Sequence, residues 1–262
     1  MCRTTLPWFA RRLALLLVLL APAIASAQTP QEVIARADAV RNPGQPFRLT
    51  STLTDYVGGK QRDQNVLAIY ASPNKASGQF RNLVRYTAPP RDAGKVALLD
   101  GTVLWFYDPA SKASVRISPQ QRLLGQASIG DVLTVNLAVD YAGKLVAVEQ
   151  IQDAARQART CWHLDMSATN DLATYARVEY WVEQQSYRPI KAKFYSDSGR
   201  LLKILYYRGF QSVLGGDRPT EAIIIDAVDN SQITTVAFSG WKYQDVPDAW
   251  FQRDFLSRLP PE

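Results

Sequence analysis

The chain has 262 residues, a formal net charge of +6, one histidine and two cysteines. Arg3, Arg11 and Arg12 belong to the first 27 residues, so the remainder carries six less three, or +3. Its basic residues are scattered singly, as at Lys191, Lys193 and Lys203, without the clustered stripe that binding a phosphate backbone requires, which excludes nucleic acid as the expected partner.

Residues 1–27 read as a cleaved secretory signal. Three arginines form the basic start, Leu13 to Leu20 the apolar run, and Ala25-Ser26-Ala27 the small-residue cleavage site. The apolar run is shorter than the roughly 20 residues of a spanning helix. A lipid-anchored protein would need a cysteine just after that run, whereas Cys2 precedes it. The expected mature chain is soluble, starts at Gln28 and has 262 less 27, or 235, residues. It shows no linker, repeat or low-complexity tract, so residues 28–262 are expected to form a single domain and a monomer. Cys161 is then the one remaining thiol, read as a small buried hydrophobe.

Thr29-Pro30-Gln31-Glu32 is a helix start: Thr29 can cap, Pro30 suits the first position, and Glu32 stands where a capping box needs its carboxylate. The helix should run from Pro30 to Arg41 with Val33, Ile34, Ala37 and Val40 on one face, ended by Asn42-Pro43-Gly44.

From Phe47 onward, β-branched and aromatic segments alternate with Gly, Pro, Asn or Asp turns, the pattern of an antiparallel meander. Strands are expected near 47–56, 64–71, 79–87, 94–99, 102–107 and 114–118, then near 144–151, 160–166, 173–183, 190–196, 201–210, 221–229 and 232–238. Pro119 to Tyr141 is ambiguous, with a short helix allowed over Ser128 to Leu137. Residues 247–259, bearing Trp250, Phe251, Phe255 and Leu259, read as a terminal helix or packed turn.

Two hairpins assign faces. A two-residue Asp100-Gly101 turn would set Leu99 opposite Thr102 and place Val96, Leu98, Val103, Trp105 and Tyr107 on one face, read as the interior. A three-residue Asp197-Ser198-Gly199 loop would place Phe194, Leu202 and Ile204 on one face and Lys191, Lys193 and Lys203 on the other. So wide a sheet with one apolar face must curl. Its concave side needs a cover, and the helix bearing Val33, Ile34 and Ala37 is the expected lid over a cavity lined by those eight residues. Such a hollow suits acyl chains, each buried CH₂ contributing about 0.8 kcal/mol.

The stretch Asp100-Gly101-Thr102-Val103-Leu104-Trp105-Phe106-Tyr107-Asp108-Pro109 resembles the Asp-Gly, strand, Trp-Phe-Tyr-Asn/Asp-Pro signature of the periplasmic lipoprotein-carrier (LolA-like) family. Val115-Arg116-Ile117-Ser118, the segment from Tyr175 to Tyr207, and Phe251 with Leu256 in the tail are also similar to that family. The resemblance implies a mainly β fold, a strongly curved antiparallel half-barrel with helices over an apolar cavity. It implies a periplasmic carrier that holds the acyl chains of a lipoprotein or lipid for transfer toward the outer membrane, between an inner-membrane exporter and an outer-membrane acceptor. It also implies an arginine that locks the lid, for which Arg48 and Arg85 are the candidates by position.

No catalytic constellation, metal site or cofactor motif emerges. A Ser-His-Asp arrangement would have to use His163, which alternates with Trp162 and Leu164 and so points away from their apolar face. One histidine and one cysteine cannot build an ordinary zinc site. Two other functions compete with the carrier: a non-enzymatic accessory of a lipid exporter, and a carboxylate-dependent envelope hydrolase, for which no paired acids speak.

Overall fold

The computed structural model describes Met1, residues 28–171 and residues 173–262, so the rest of the expected signal lies outside the described residues. Helix α1, Pro30–Arg41, has the expected bounds and the expected capping box. The Glu32 amide donates to Thr29 Oγ1 at 3.2 Å and the Thr29 amide donates to Glu32 Oε2 at 2.8 Å. Its buried face is Val33, Ile34, Ala37 and Asp38, whereas Val40 is only half-buried.

Six strands follow in order: β1 (Phe47–Val57), β2 (Lys60–Pro73), β3 (Phe80–Ala88), β4 (Val96–Asp100), β5 (Val103–Asp108) and β6 (Ala113–Arg116). A small hairpin, β7 (Arg122–Leu124) and β8 (Ala127–Ser128), leads through a 3-10 turn at Ile129–Asp131 to the short helix α2, Leu137–Asp140. Then come β9 (Tyr141–Gln152), β10 (Ala158–Ala168), β11 (Arg177–Glu183), β12 (Pro189–Tyr195) and β13 (Leu201–Arg208). A second small hairpin, β14 (Gln211–Val213) and β15 (Gly216–Arg218), precedes β16 (Glu221–Asp226) and β17 (Gln232–Tyr243), and 3-10 turns span Asp248–Phe251 and Arg253–Arg258.

Thirteen of these strands form one antiparallel sheet in the order β6-β5-β4-β3-β2-β1-β17-β16-β13-β12-β11-β10-β9. Neighbouring strands lie roughly 4.8 Å apart, so β4 and β10 would stand roughly 43 Å apart in a flat sheet. Yet Ala97 of β4 and Leu164 of β10 belong to one buried apolar cluster with α1. The sheet is therefore strongly curled, open between its edge strands β6 and β9, and α1 lies on its inner face.

Residues 117–140 link the two edges by crossing that inner face, where Ala127, Ile129, Val132 and Leu133 join the core. Two side-chain amides of β3 and its approach hold this crossover as a neighbouring strand would. Asn82 accepts the Thr134 amide at 2.7 Å and donates to the Thr134 carbonyl at 2.9 Å, and Gln79 does the same for Asn136 at 2.7 and 3.1 Å. Gly130 is required beneath Thr174, whose Oγ1 would lie 2.1 Å from any added Cβ.

The outer face of β2 to β5 is covered as well. Phe251 and Leu256 of the C-terminal 3-10 turns pack on Ala68, Tyr70, Leu83, Val96, Leu98 and Tyr107. Glu262 closes this strap: Arg48 donates to its carboxylate at 2.6 Å, Tyr70 OH at 3.0 Å, and Arg85 approaches at 3.3 Å.

Candidate functional site

Two adjoining, partly open voids of about 60 and 80 Å³ lie between the inner face, the crossover and the C-terminal end of α1. Leu133, Leu205, Tyr207, Arg41 and Asp131 line both. Ligand pockets are roughly 300–1,000 Å³. The interior in this conformation is therefore largely filled by its own cover.

The cover is fastened by polar latches rather than by apolar packing alone. Asp38 accepts the Ala138 amide of α2 at 2.8 Å and pairs with Arg41 at 2.5 Å. Burial pushes the Asp38 carboxyl above the usual carboxylate range, opposed by Arg41 and the α2 amides. Arg218, buried on β15, donates to the carbonyls of Ala39 and Val40 at 3.2 and 3.1 Å, satisfying the free C-terminal end of α1. At the other end Gln31 donates to the carbonyls of Ala138 and Tyr141 at 2.6 and 2.9 Å. Ile34 seats against Gly143, where an added Cβ would meet its Cδ1 at 2.5 Å.

A second polar group is built into the wall. Lys203 forms an ion pair with Asp131 and donates to the Gln126 carbonyl at 2.9 Å. The other Asp131 oxygen accepts Tyr175 OH at 2.9 Å, and Ser128 Oγ lies 2.8 Å from that hydroxyl. Lys203 also sits 4.9 Å above the Tyr175 ring. Burial raises the Tyr175 phenol well above its ordinary value.

The expected lid residues Val33, Ile34 and Ala37 are buried against the inner core. The eight expected cavity residues are not brought together. Val96, Leu98, Trp105 and Tyr107 lie on the outer face under the C-terminal strap, and Val103 shares that side of β5. The first hairpin turns at Gly101-Thr102, with Leu98 opposite Trp105 and Asp100 opposite Val103. That two-residue slip keeps the five on one face, but the inner face is the other one, through Ala97, Leu99 and Leu104.

In the second hairpin the three-residue loop is present, and Tyr195 stands opposite Leu201. A bulge between Phe194 and Tyr195 then shifts the register by one, so Phe194 faces Lys203 and Lys193 faces Ile204. Phe194 and Leu202 pack into the inner core, whereas Ile204 takes the outer side and Lys203 the inner. Sequence reasoning missed Leu205, Tyr207, Asp131 and Arg41. Arg48 and Arg85 clamp Glu262 on the outer face and do not touch α1.

His163 lies on the outer side, stacked 4.2 Å from Trp181 with Nδ1 3.0 Å from Glu149. Burial pushes the nearby Cys161 thiol up to about 12. Among the described residues no group of three His, Cys, Asp or Glu is placed to hold a metal ion. No described helix is long and apolar enough to cross a membrane.

A family model described as "-like: Uncharacterized protein" matches residues 78–258. No curated protein matches the chain. Among solved structures, a LolA superfamily protein from Nitrosomonas europaea is 31% identical with a TM-score of 0.78, the match covering 87% of this chain and 100% of that one. A DUF1329 family protein from Desulfovibrio piger is 19% identical with a TM-score of 0.73, covering 87% and 100%. A candidate outer-membrane lipoprotein-sorting protein domain from Vibrio parahaemolyticus is 17% identical with a TM-score of 0.70, covering 87% and 98%, and these last two likenesses concern the fold. With its half-barrel, its helix cover and this match over nearly all of a related chain, the protein belongs to the LolA superfamily.

Proposed function

We propose that residues 28–262 form one periplasmic, non-enzymatic domain that encloses an acyl chain of a lipoprotein or lipid for transfer toward the outer membrane. The observation that supports this most is the cover: a helix and a crossover lie on an apolar face that spans the curled sheet, yet are fastened by a few polar latches. Once these latches release, the exposed inner face can take up an apolar chain at about 0.8 kcal/mol per buried CH₂.

Adjacent residues on opposite faces provide the test. Leu205→Asn places an amide among the inner apolar side chains, and Ile204→Asn places one outside. A fluorescent acyl probe should bind the parent and Ile204→Asn alike and Leu205→Asn at least tenfold more weakly, with circular dichroism confirming that each is folded. Equal binding by all three removes the inner face as the acyl site.

The small voids favour a second reading, an accessory of a lipid exporter whose interior stays shut. Mass spectrometry of solvent extracts from protein purified out of the periplasm separates the two, because only the carrier brings lipid with it.

A further inference from the structure

Outside the covered interior an open cleft of about 390 Å³ lies between the β7–β8 hairpin and the β12–β13 hairpin. Its volume is that of a small-molecule site. Tyr175 and Thr174 line both this cleft and one of the inner voids, and Lys203, whose partner Asp131 faces the voids, lines the cleft. The buried Lys203–Asp131–Tyr175 group is thus the partition between the open cleft and the covered interior.

The hairpin that forms one side is fixed in place. Gly125 approaches Asp55 and Thr234 so closely that a Cβ would meet Asp55 Oδ1 at 2.1 Å, and the Gln126 amide donates to Thr234 Oγ1 at 2.8 Å. Two exposed guanidiniums line the cleft, Arg122 from this hairpin and Arg200 from the β12–β13 loop. Neither has an ion-pair partner among the described residues. Two carboxylates line it too, Asp197 at the loop tip and Asp226, whose Oδ1 accepts the Val228 and Asp229 amides at 2.8 Å each. Lys203 and Asp131 neutralise each other, and the remaining two cations and two anions leave the cleft neutral but strongly divided.

We propose, resting on the carrier reading, that this cleft seats the head group of a zwitterionic phospholipid whose chain enters the interior past Tyr175. Arg122 and Arg200 supply the fork-shaped donors that suit a phosphate, and Asp197 with Asp226 faces the ammonium. A bare anion would meet two uncompensated carboxylates, and an uncharged head group would leave both guanidiniums without an acceptor.

The test compares a lysophosphatidylethanolamine with a monoacylglycerol of the same chain, each displacing a fluorescent acyl probe. The variants are the exposed pair Arg122→Glu with Arg200→Glu, and a control with the same charge change at other exposed arginines, Arg62→Glu with Arg156→Glu. The parent and the control should bind the lysophospholipid about tenfold more tightly than the monoacylglycerol, and the cleft variant should bind the two alike. Equal binding of both lipids by the parent, or an equal loss in the cleft variant and the control, overturns the head-group seat and leaves the carrier intact. Free phosphoethanolamine binding as tightly as the lysophospholipid overturns it as a lipid site. If neither lipid binds the parent, the carrier reading falls with it.

Discussion

Asn82 pairs with Thr134 through both ends of its side-chain amide, giving the crossover the two hydrogen bonds a neighbouring strand would supply. Asn82→Ala leaves the buried Thr134 N–H and C=O without partners, at a cost of about 2–3 kcal/mol. Hydrogen exchange should speed up first over residues 129–140. Unchanged protection there would show that apolar packing alone holds the crossover.

The Asp38 latch joins α1 to α2, and its carboxyl titrates above the ordinary range because it is buried. A carboxyl with a higher pKa in the folded than in the unfolded state destabilises the fold at neutral pH, and this cost disappears as the pH falls through the folded pKa. Asp38→Asn keeps an acceptor for the Ala138 amide and no longer titrates, so it serves as the pH-independent reference. Asp38→Ala leaves that amide without an acceptor and Arg41 without its carboxylate, losing about 3 kcal/mol. In urea titrations at about pH 7 and about pH 5, the parent should gain stability relative to Asp38→Asn on acidification. A gain in the opposite direction would place the folded pKa below the unfolded one.

Lys203→Met breaks the buried ion pair and strands Asp131, at about 3–5 kcal/mol by denaturant unfolding. Adding Asp131→Asn should recover part of the loss, since the amide can still serve the Tyr175 hydroxyl. Additive losses in the double variant would contradict direct coupling.

The outer strap is structural. Phe251→Ala removes a fully buried ring and should cost about 3–5 kcal/mol, with acyl-probe affinity of the folded protein unchanged because Phe251 lies across the sheet from α1. Glu262→Gln should cost much less, about 1 kcal/mol, because the Arg48 and Glu262 side chains each keep about a fifth of their surface in water. Loss of probe binding in a folded Phe251→Ala protein would connect the outer face to the site.

What the sequence determined by itself was local. The capping box and Pro30 set the start of α1, and alternating apolar residues bounded by turns set the thirteen sheet strands to within a few residues, because both signals act over a few positions. Period-two alternation also sorted Val96, Leu98, Trp105 and Tyr107 onto one face. It could not say which face, since β4 is buried on both sides, against Ala97 and Leu99's core within and Phe251 and Leu256 without. That decision belongs to the C-terminal strap, which arrives from more than a hundred residues away. The one-residue bulge beside Phe194 turned Lys203 from an expected solvated face to the inner wall, and Asp131 makes that placement tolerable by pairing with it. Asn82, Gln79 and Asp38 carry no local mark of their roles. Their partners, Thr134, Asn136 and Ala138, meet them only when the crossover closes over the curled sheet, and a buried amide or carboxylate is stable there only because those backbone groups also need partners.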